Sequence, residues 1–256
     1  MNIVATDVFD GAMQGLEAGF RVLHIATFDL KTCNASDDIE SALKDPELAG
    51  FDHIPVQQDS RIIGLLERQA GPGSGPVARH MRQIDPSYLV AAEAPLRAFI
   101  PLVAENPYWL VVRIAGIQGI VTRSDLFKLP VRLHIFTMVT HLETVMADVI
   151  RTHSRSDNWL ALLGDMRRKK VRERQRRLQI KSLDPPLVEL TDFYDKTIIV
   201  EKLLHLGKDF TESLDNIRDL RNKVAHGVTY VNNNAQVRNF VERISAAEKW
   251  IERLRI

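Results

Sequence analysis

One pattern in this chain occurs twice, about 55 residues apart, and it constrains the fold more than any other feature. The first copy runs from Asp52 to Leu66 (DHIPVQQDSRIIGLL) and the second from Pro107 to Val121 (PYWLVVRIAGIQGIV). Each has an apolar run, a short polar or small-residue break, then a second apolar run with Gly64 or Gly119 at the matching place. That order predicts strand, tight turn, strand. A helical stretch precedes each hairpin, at 36–43 and 94–104. Ser36, followed by Asp37 and Asp38, reads as the first helix start. Self-similarity at a fixed period, strand plus helix, means two copies of one small unit. The stretch from Ala70 to Pro76, rich in Gly and Pro, reads as a flexible loop between the copies. The domain boundary is expected near Leu129-Pro130.

Beyond Pro130, apolar residues recur at helical spacing almost to the end. Helices are predicted at about 131–152, 156–181, 187–206, 208–226 and 234–255. Their breaks fall at Ser154, at Asp184-Pro185-Pro186, at Gly207 and at Val231 to Asn234. Five helices with short connections make an antiparallel bundle. The expected class is therefore α+β, with a pair of β-α units over residues 1–130 and an all-α bundle over 131–256.

Two features of the helical half carry chemistry. Arg221-Asn222-Lys223-Val224-Ala225-His226 reads R-N-x-x-x-H, with Gly227 directly after it. Glycine is the usual residue just past a helix end, so the arginine and histidine fall in or near the last turn. A permanently charged guanidinium beside an imidazole suits phosphodiester chemistry. On an ideal helix, residues five apart point about 140° from one another. The pair therefore converges only at a frayed end or across two copies of the chain. No acid is well spaced to hold Arg221, since Ile217 stands at i−4 and Asp215 and Asp219 lie at poor offsets. The second feature is the run from Arg167 to Arg177, with eight basic residues in eleven positions and one acid. Such a run is either a solvated helix face or a surface for RNA phosphates. For the second, Arg167, Arg168, Lys169, Lys170 and Arg172 are the candidates.

The two N-terminal copies resemble CBS domains, which occur as tandem pairs and often bind adenosine nucleotides. The second copy continues Gly119-Ile120-Val121-Thr122-Arg123-Ser124-Asp125 and is similar to that family's phosphate- and ribose-binding turn. The resemblance implies Thr122 on phosphate or ribose, Asp125 on the ribose hydroxyls, and Tyr108 and Trp109 beside adenine. A helix start that directs N–H groups at an anion agrees with this; a plain helix cap is the alternative. The first copy has Glu67-Arg68-Gln69 instead, so one competent site is expected rather than two. The R-N-x-x-x-H motif within a run of helices resembles the HEPN superfamily, which includes metal-independent ribonucleases. That resemblance implies a homodimer with a composite cleft. It also implies His226 as general acid or base, Arg221 stabilising charge on phosphate, Asn222 orienting it, and no catalytic cofactor or metal.

Composition adds limits. A net charge of +1 over 256 residues gives no global attraction for nucleic acid, so any RNA contact is local. Cys33, the only cysteine, rules out an intrachain disulfide and a cysteine-rich zinc site. No secretion-signal pattern and no apolar run of membrane length is apparent, so a cytoplasmic protein is expected. Two functions remain in view: an endoribonuclease regulated by an adenosine nucleotide, and a non-catalytic, adenylate-sensing dimeric module.

Overall fold

The computed structural model describes residues 19–70, 73–154, 156–227 and 230–255, with Gly11 and Gly15 before them. The start of the expected CBS pair and the Gly71-Pro72 part of the inter-copy loop lie outside the described residues. Two compact units divide between Val131 and Arg132.

The first unit shows the repeat strand by strand. Its elements in order are β1 (Cys33–Asn34), α1 (Ile39–Lys44), β2 (His53–Gln58), β3 (Arg61–Glu67), β4 (Arg82–Gln83), β5 (Leu89–Ala91), α2 (Leu96–Phe99), β6 (Tyr108–Arg113) and β7 (Gly116–Thr122). In each copy a short strand pairs parallel with the first hairpin strand, and the hairpin itself is antiparallel. The register slips at the same place in both copies, between Val56 and Gln57 and between Val111 and Val112. A bulge held at equivalent positions is a built feature that adds twist.

Each hairpin is completed by the segment leading into the other copy. Arg82, ahead of the second copy, pairs with Leu65 of β3. Thr27, ahead of the first, pairs with Ile120 of β7 through two backbone hydrogen bonds of 2.9 and 3.0 Å. The same step of about 55 residues relates these two pairs. The repeat glycines make the approach possible. A Cβ on Gly64 would lie 2.7 Å from Met81 Sδ and 2.8 Å from the Arg82 carbonyl oxygen; one on Gly119 would lie 3.0 Å from the Phe28 ring.

Local differences from the sequence reading have clear causes. Asp38 rather than Ser36 caps α1, accepting from the Glu40 and Ser41 N–H groups. The second helical stretch is four α-helical residues and then a 3-10 turn, Ile100–Ala104, because Pro101 has no N–H to continue the α ladder.

The second unit contains most of α3 (Leu129–His153), then α4 (Asp165–Gln179), α5 (Phe193–Leu204), α6 (Lys208–Ala225) and α7 (Asn234–Leu254). Short 3-10 turns at Asp157–Leu162 and Leu187–Leu190 replace the beginnings of two predicted helices. α5 starts late because Asp192 and Asp195 form a reciprocal cap at its first turn. By length and composition α3 is apolar enough to cross a membrane, contrary to the sequence reading, yet 61% of that window is buried inside the protein. α6 and α7 are the most regular pair. Phe210, Leu214, Ile217, Leu220 and Val224 face Val237, Phe240, Ile244, Ala247, Ile251 and Leu254, all buried at three- and four-residue spacing. The two helices run antiparallel, since Phe210 meets Trp250 near one end (ring centroids 4.8 Å apart) and Asp219 meets Arg243 further along (2.9 Å). Each buried Leu, Ile, Val or Phe side chain stabilises by about 1.5–3 kcal/mol. Exposed pairs such as Lys208–Glu212 contribute about 0–1 kcal/mol, so the apolar stripe holds α6 in place.

Candidate functional site

The end of α6 carries the R-N-x-x-x-H residues. Arg221 continues the stripe of Phe210, Leu214 and Ile217, so its side chain leaves the helix from the buried side and is half-buried. Asn222 and His226 are exposed. His226 is the C-cap, its N–H bonded to the Asn222 carbonyl at 3.0 Å, and Gly227 follows at φ 65°. Neighbouring acids are taken. Asp215 pairs with Arg218 at 3.0 Å, and Asp219 receives Lys223 and Arg243, each at 2.9 Å. The hydrogen bond from Lys223, then that from Arg243, holds the Asp219 carboxyl below its ordinary range. Among the described residues Arg221 has no carboxylate partner; its Nη1 donates to the Asn222 side-chain oxygen at 3.1 Å. The helix end therefore presents a guanidinium, an amide and an imidazole to water.

Arg132, which the sequence reading missed, secures this end. Its Nη2 donates to the Val224 carbonyl at 2.9 Å, satisfying one of the last carbonyls of α6. No sequence signal links residues 92 positions apart, so this contact was not legible. Tyr230, just beyond the motif, stacks on Phe240 (5.6 Å), and burial pushes its hydroxyl up to about 12.

The five basic candidates of α4 are not equivalent. Arg167 is committed to protein, bonded to Asp195 at 2.6 Å and to Asp192, with its guanidinium held above its ordinary range by Asp195 first. Arg168 donates to the Leu163 carbonyl at 3.1 Å and pairs with Asp165 at 3.5 Å. Both sets of contacts have one cause: these residues close the first turn of α4 onto α5 and the preceding loop. Lys169, Lys170 and Arg172 are exposed, and Arg172 donates to the Gln175 side-chain oxygen at 3.1 Å.

In the first unit the turn after β7 is closed on itself. Asp125 is only 4% exposed. It accepts from the Thr122 N–H at 2.6 Å and the Thr122 hydroxyl at 3.1 Å, and pairs with Lys128 at 2.7 Å. Lys128 also donates to the Ile25 carbonyl at 2.6 Å. The cavity beside Thr122 and Trp109 is about 10 Å³, room for about one water. The two aromatic residues expected beside adenine lie inside the fold. Trp109 is buried edge-on to Phe99 (5.6 Å), and Tyr108 is buried between His53 (4.8 Å) and Tyr88 (4.9 Å). β6 is the middle strand of its sheet and is covered on both faces, so neither ring offers a free face to a base.

No protein-family model matches the chain, and no curated protein matches it. Solved structures do resemble it. A conserved CBS domain protein from Thermoplasma acidophilum is 23% identical, with a TM-score of 0.37 over 48% of this chain and 75% of the other. CBSX2 in complex with AMP is 20% identical, with a TM-score of 0.36 over 42% and 93%. The CBS domain of a bacterial CNNM/CorC-family Mg2+ transporter in complex with ATP is 16% identical, with a TM-score of 0.39 over 49% and 95%. All three are CBS domain proteins. This chain is mixed α+β, with two small sheets in its first half and helices in its second.

Proposed function

We propose that this protein is an endoribonuclease whose chemistry sits at the end of α6 and whose first unit binds a regulatory adenosine nucleotide. The observation that carries the reading is Arg221: a permanent charge on the buried stripe of a helix, without a carboxylate partner among the described residues, beside the exposed Asn222 and His226. A charge in that position stabilises the fold little and is free to meet a phosphate.

In this scheme the RNA 2′-hydroxyl gives its proton to an imidazole and its oxygen bonds to phosphorus. The bond from phosphorus to the 5′-oxygen then breaks, and the leaving oxygen takes a proton. The products are a 2′,3′-cyclic phosphate and a 5′-hydroxyl. Arg221 stabilises charge on the non-bridging oxygens and Asn222 orients them. Two chains brought together at this surface supply two His226 imidazoles, one for each proton transfer. The adenosine nucleotide is assigned to the turn of Thr122 and Asp125, where it would have to displace Lys128 from Asp125. The test is cleavage of single-stranded RNA in EDTA by the full chain and by His226→Ala. The variant should lose about 10²-fold or more in rate. Unchanged cleavage by the variant, or none by the native chain at any nucleotide concentration, would leave the second reading, a non-catalytic adenylate-sensing module.

A further inference from the structure

Tyr194 stands one residue inside the start of α5 and is 39% exposed, while its neighbour Phe193 is buried. Two guanidiniums flank its ring: Arg218 Cζ lies 5.1 Å from the centroid and Arg167 Cζ 5.4 Å. The two arginines are engaged differently. Arg167 is neutralised by Asp192 and Asp195, which fixes it as part of the wall. Among the described residues, the acid that Arg218 pairs with is Asp215, at 3.0 Å, with both side chains a third to a half exposed. Water already screens such a pair, and a phosphate replaces its carboxylate at little cost. Arg218 lies one turn before Arg221 and Asn222 on α6, where residues three and four apart are surface neighbours. An exposed aromatic ring, an exchangeable arginine and the helix end with His226 thus belong to one stretch of the second unit. Both guanidiniums lie over the ring, so a base gains a face of Tyr194 when the exchangeable Arg218 moves onto the nucleotide's phosphate; an aromatic ring with a cation is the platform that unpaired nucleotides use, because every base has a face to stack. Paired RNA keeps its bases stacked within the duplex and has no such face to give.

We propose that Tyr194 and Arg218 form a subsite for an unpaired RNA nucleotide next to the scissile bond, the base against the Tyr194 ring and its phosphate on Arg218. The assignment rests on the ribonuclease reading, because the neighbouring Arg221, Asn222 and His226 define which bond is cut.

The test separates binding from cleavage. Binding is measured by fluorescence anisotropy with a labelled single-stranded oligoribonucleotide, and with the same strand annealed to its complement, on the full chain carrying His226→Ala so that the probe survives. Adding Tyr194→Ala should weaken single-strand binding by about tenfold or more, the usual scale for losing one stacked base. Tyr194→Phe keeps the ring and should bind like the parent. Arg218→Gln should reduce the slope of log affinity against log salt by roughly one phosphate contact. In chains that retain His226, Tyr194→Ala should raise KM and leave kcat in place. Equal affinity of parent and Tyr194→Ala for the single strand overturns the subsite, as does binding of duplex as tight as single strand. If binding behaves as expected and the native chain cuts no RNA, the site for an unpaired nucleotide stands, its place next to a scissile bond is overturned, and the ribonuclease reading falls. If the native chain cuts RNA and Tyr194→Ala changes neither affinity nor KM, the reverse holds. Failure to bind either form of RNA overturns both.

Discussion

The turn after β7 and the end of α6 hold the two motifs of this chain, and they are in opposite states. At the turn, the Asp125 carboxylate is fully engaged by Thr122 and Lys128 and is buried. At the helix end, among the described residues, Arg221 donates to the amide next to it without a carboxylate partner, and His226 faces water. Removing a buried, paired carboxylate leaves its hydrogen-bond partners unsatisfied and destabilises the fold. A half-exposed guanidinium without a carboxylate partner contributes little to folding and can be removed at little structural cost. Charged side chains thus serve stability in one place and, in the proposed reading, are left over for a ligand in the other.

The largest effect that sharpens this contrast is expected at Arg221. Arg221→Gln should lower RNA cleavage by about 10²-fold or more, as expected for losing a charge-stabilising donor. It should leave the unfolding free energy within about 0.5 kcal/mol of native. Arg221→Lys keeps the charge but loses the two-pronged geometry, so it should rescue only part of the rate. Rate assays and urea unfolding on the same preparations decide the matter. A variant that unfolds substantially more easily would show that Arg221 is a structural residue after all.

The next effect runs the other way, from activity to stability. Asp125→Ala strands the Thr122 N–H and removes the ion pair to Lys128, which keeps its bond to the Ile25 carbonyl, and should cost about 1–3 kcal/mol. Glu67, at the place in the first copy that Thr122 holds in the second, pairs with Arg82 only at 3.4 Å on an exposed edge. Glu67→Ala should therefore cost about 0.5 kcal/mol or less. Calorimetry with AMP and with ATP adds the functional half. Asp125→Ala should abolish saturable nucleotide binding, with one site per chain in the native protein. Loss of stability with undiminished nucleotide binding would reduce Asp125 to a helix cap.

Parts of both sites were legible in the sequence because they are local or periodic. The step of about 55 residues, the paired glycines and the helix ending at Gly227 all follow from short-range pattern. What escaped is long-range. Nothing in the composition of Phe20 to Leu30 says that Thr27 completes the second copy rather than the first, because strand partners are chosen by shape and twist across the whole unit. The run from Arg167 to Arg177 reads as uniformly basic, yet Arg167 is consumed by Asp192 and Asp195, some 25 residues away. Tyr194 left a faint signal. Consecutive residues on a helix face different ways, so Phe193 and Tyr194 cannot both be buried on one face.

The smallest effect concerns His53, which occupies in the first copy the place Tyr108 holds in the second, the two rings lying 4.8 Å apart. Burial lowers the His53 imidazole from its ordinary 6.5 and Arg123 lowers it further, while Glu67, opposite it on β3, and Asp52 act in the other direction. The unfolded chain therefore takes up a proton at this residue before the folded chain does. Where the unfolded state binds more protons, stability rises with pH. The His53 contribution is thus whole above the ordinary imidazole value. It declines as pH falls from there toward the lower value in the fold, and levels off once the folded imidazole is also charged. His53→Phe keeps a ring against Tyr108 and removes the proton. Melting temperatures of both proteins, taken at several pH values across the imidazole range, isolate this residue, since every other histidine is common to both. The native chain should lose slightly more stability than His53→Phe as the solution is made acidic, by less than the Asp125→Ala effect. Parallel curves would mean that the ring contact between the two copies tolerates a charged imidazole, and that the halves of the repeat differ in shape but not in their response to acid.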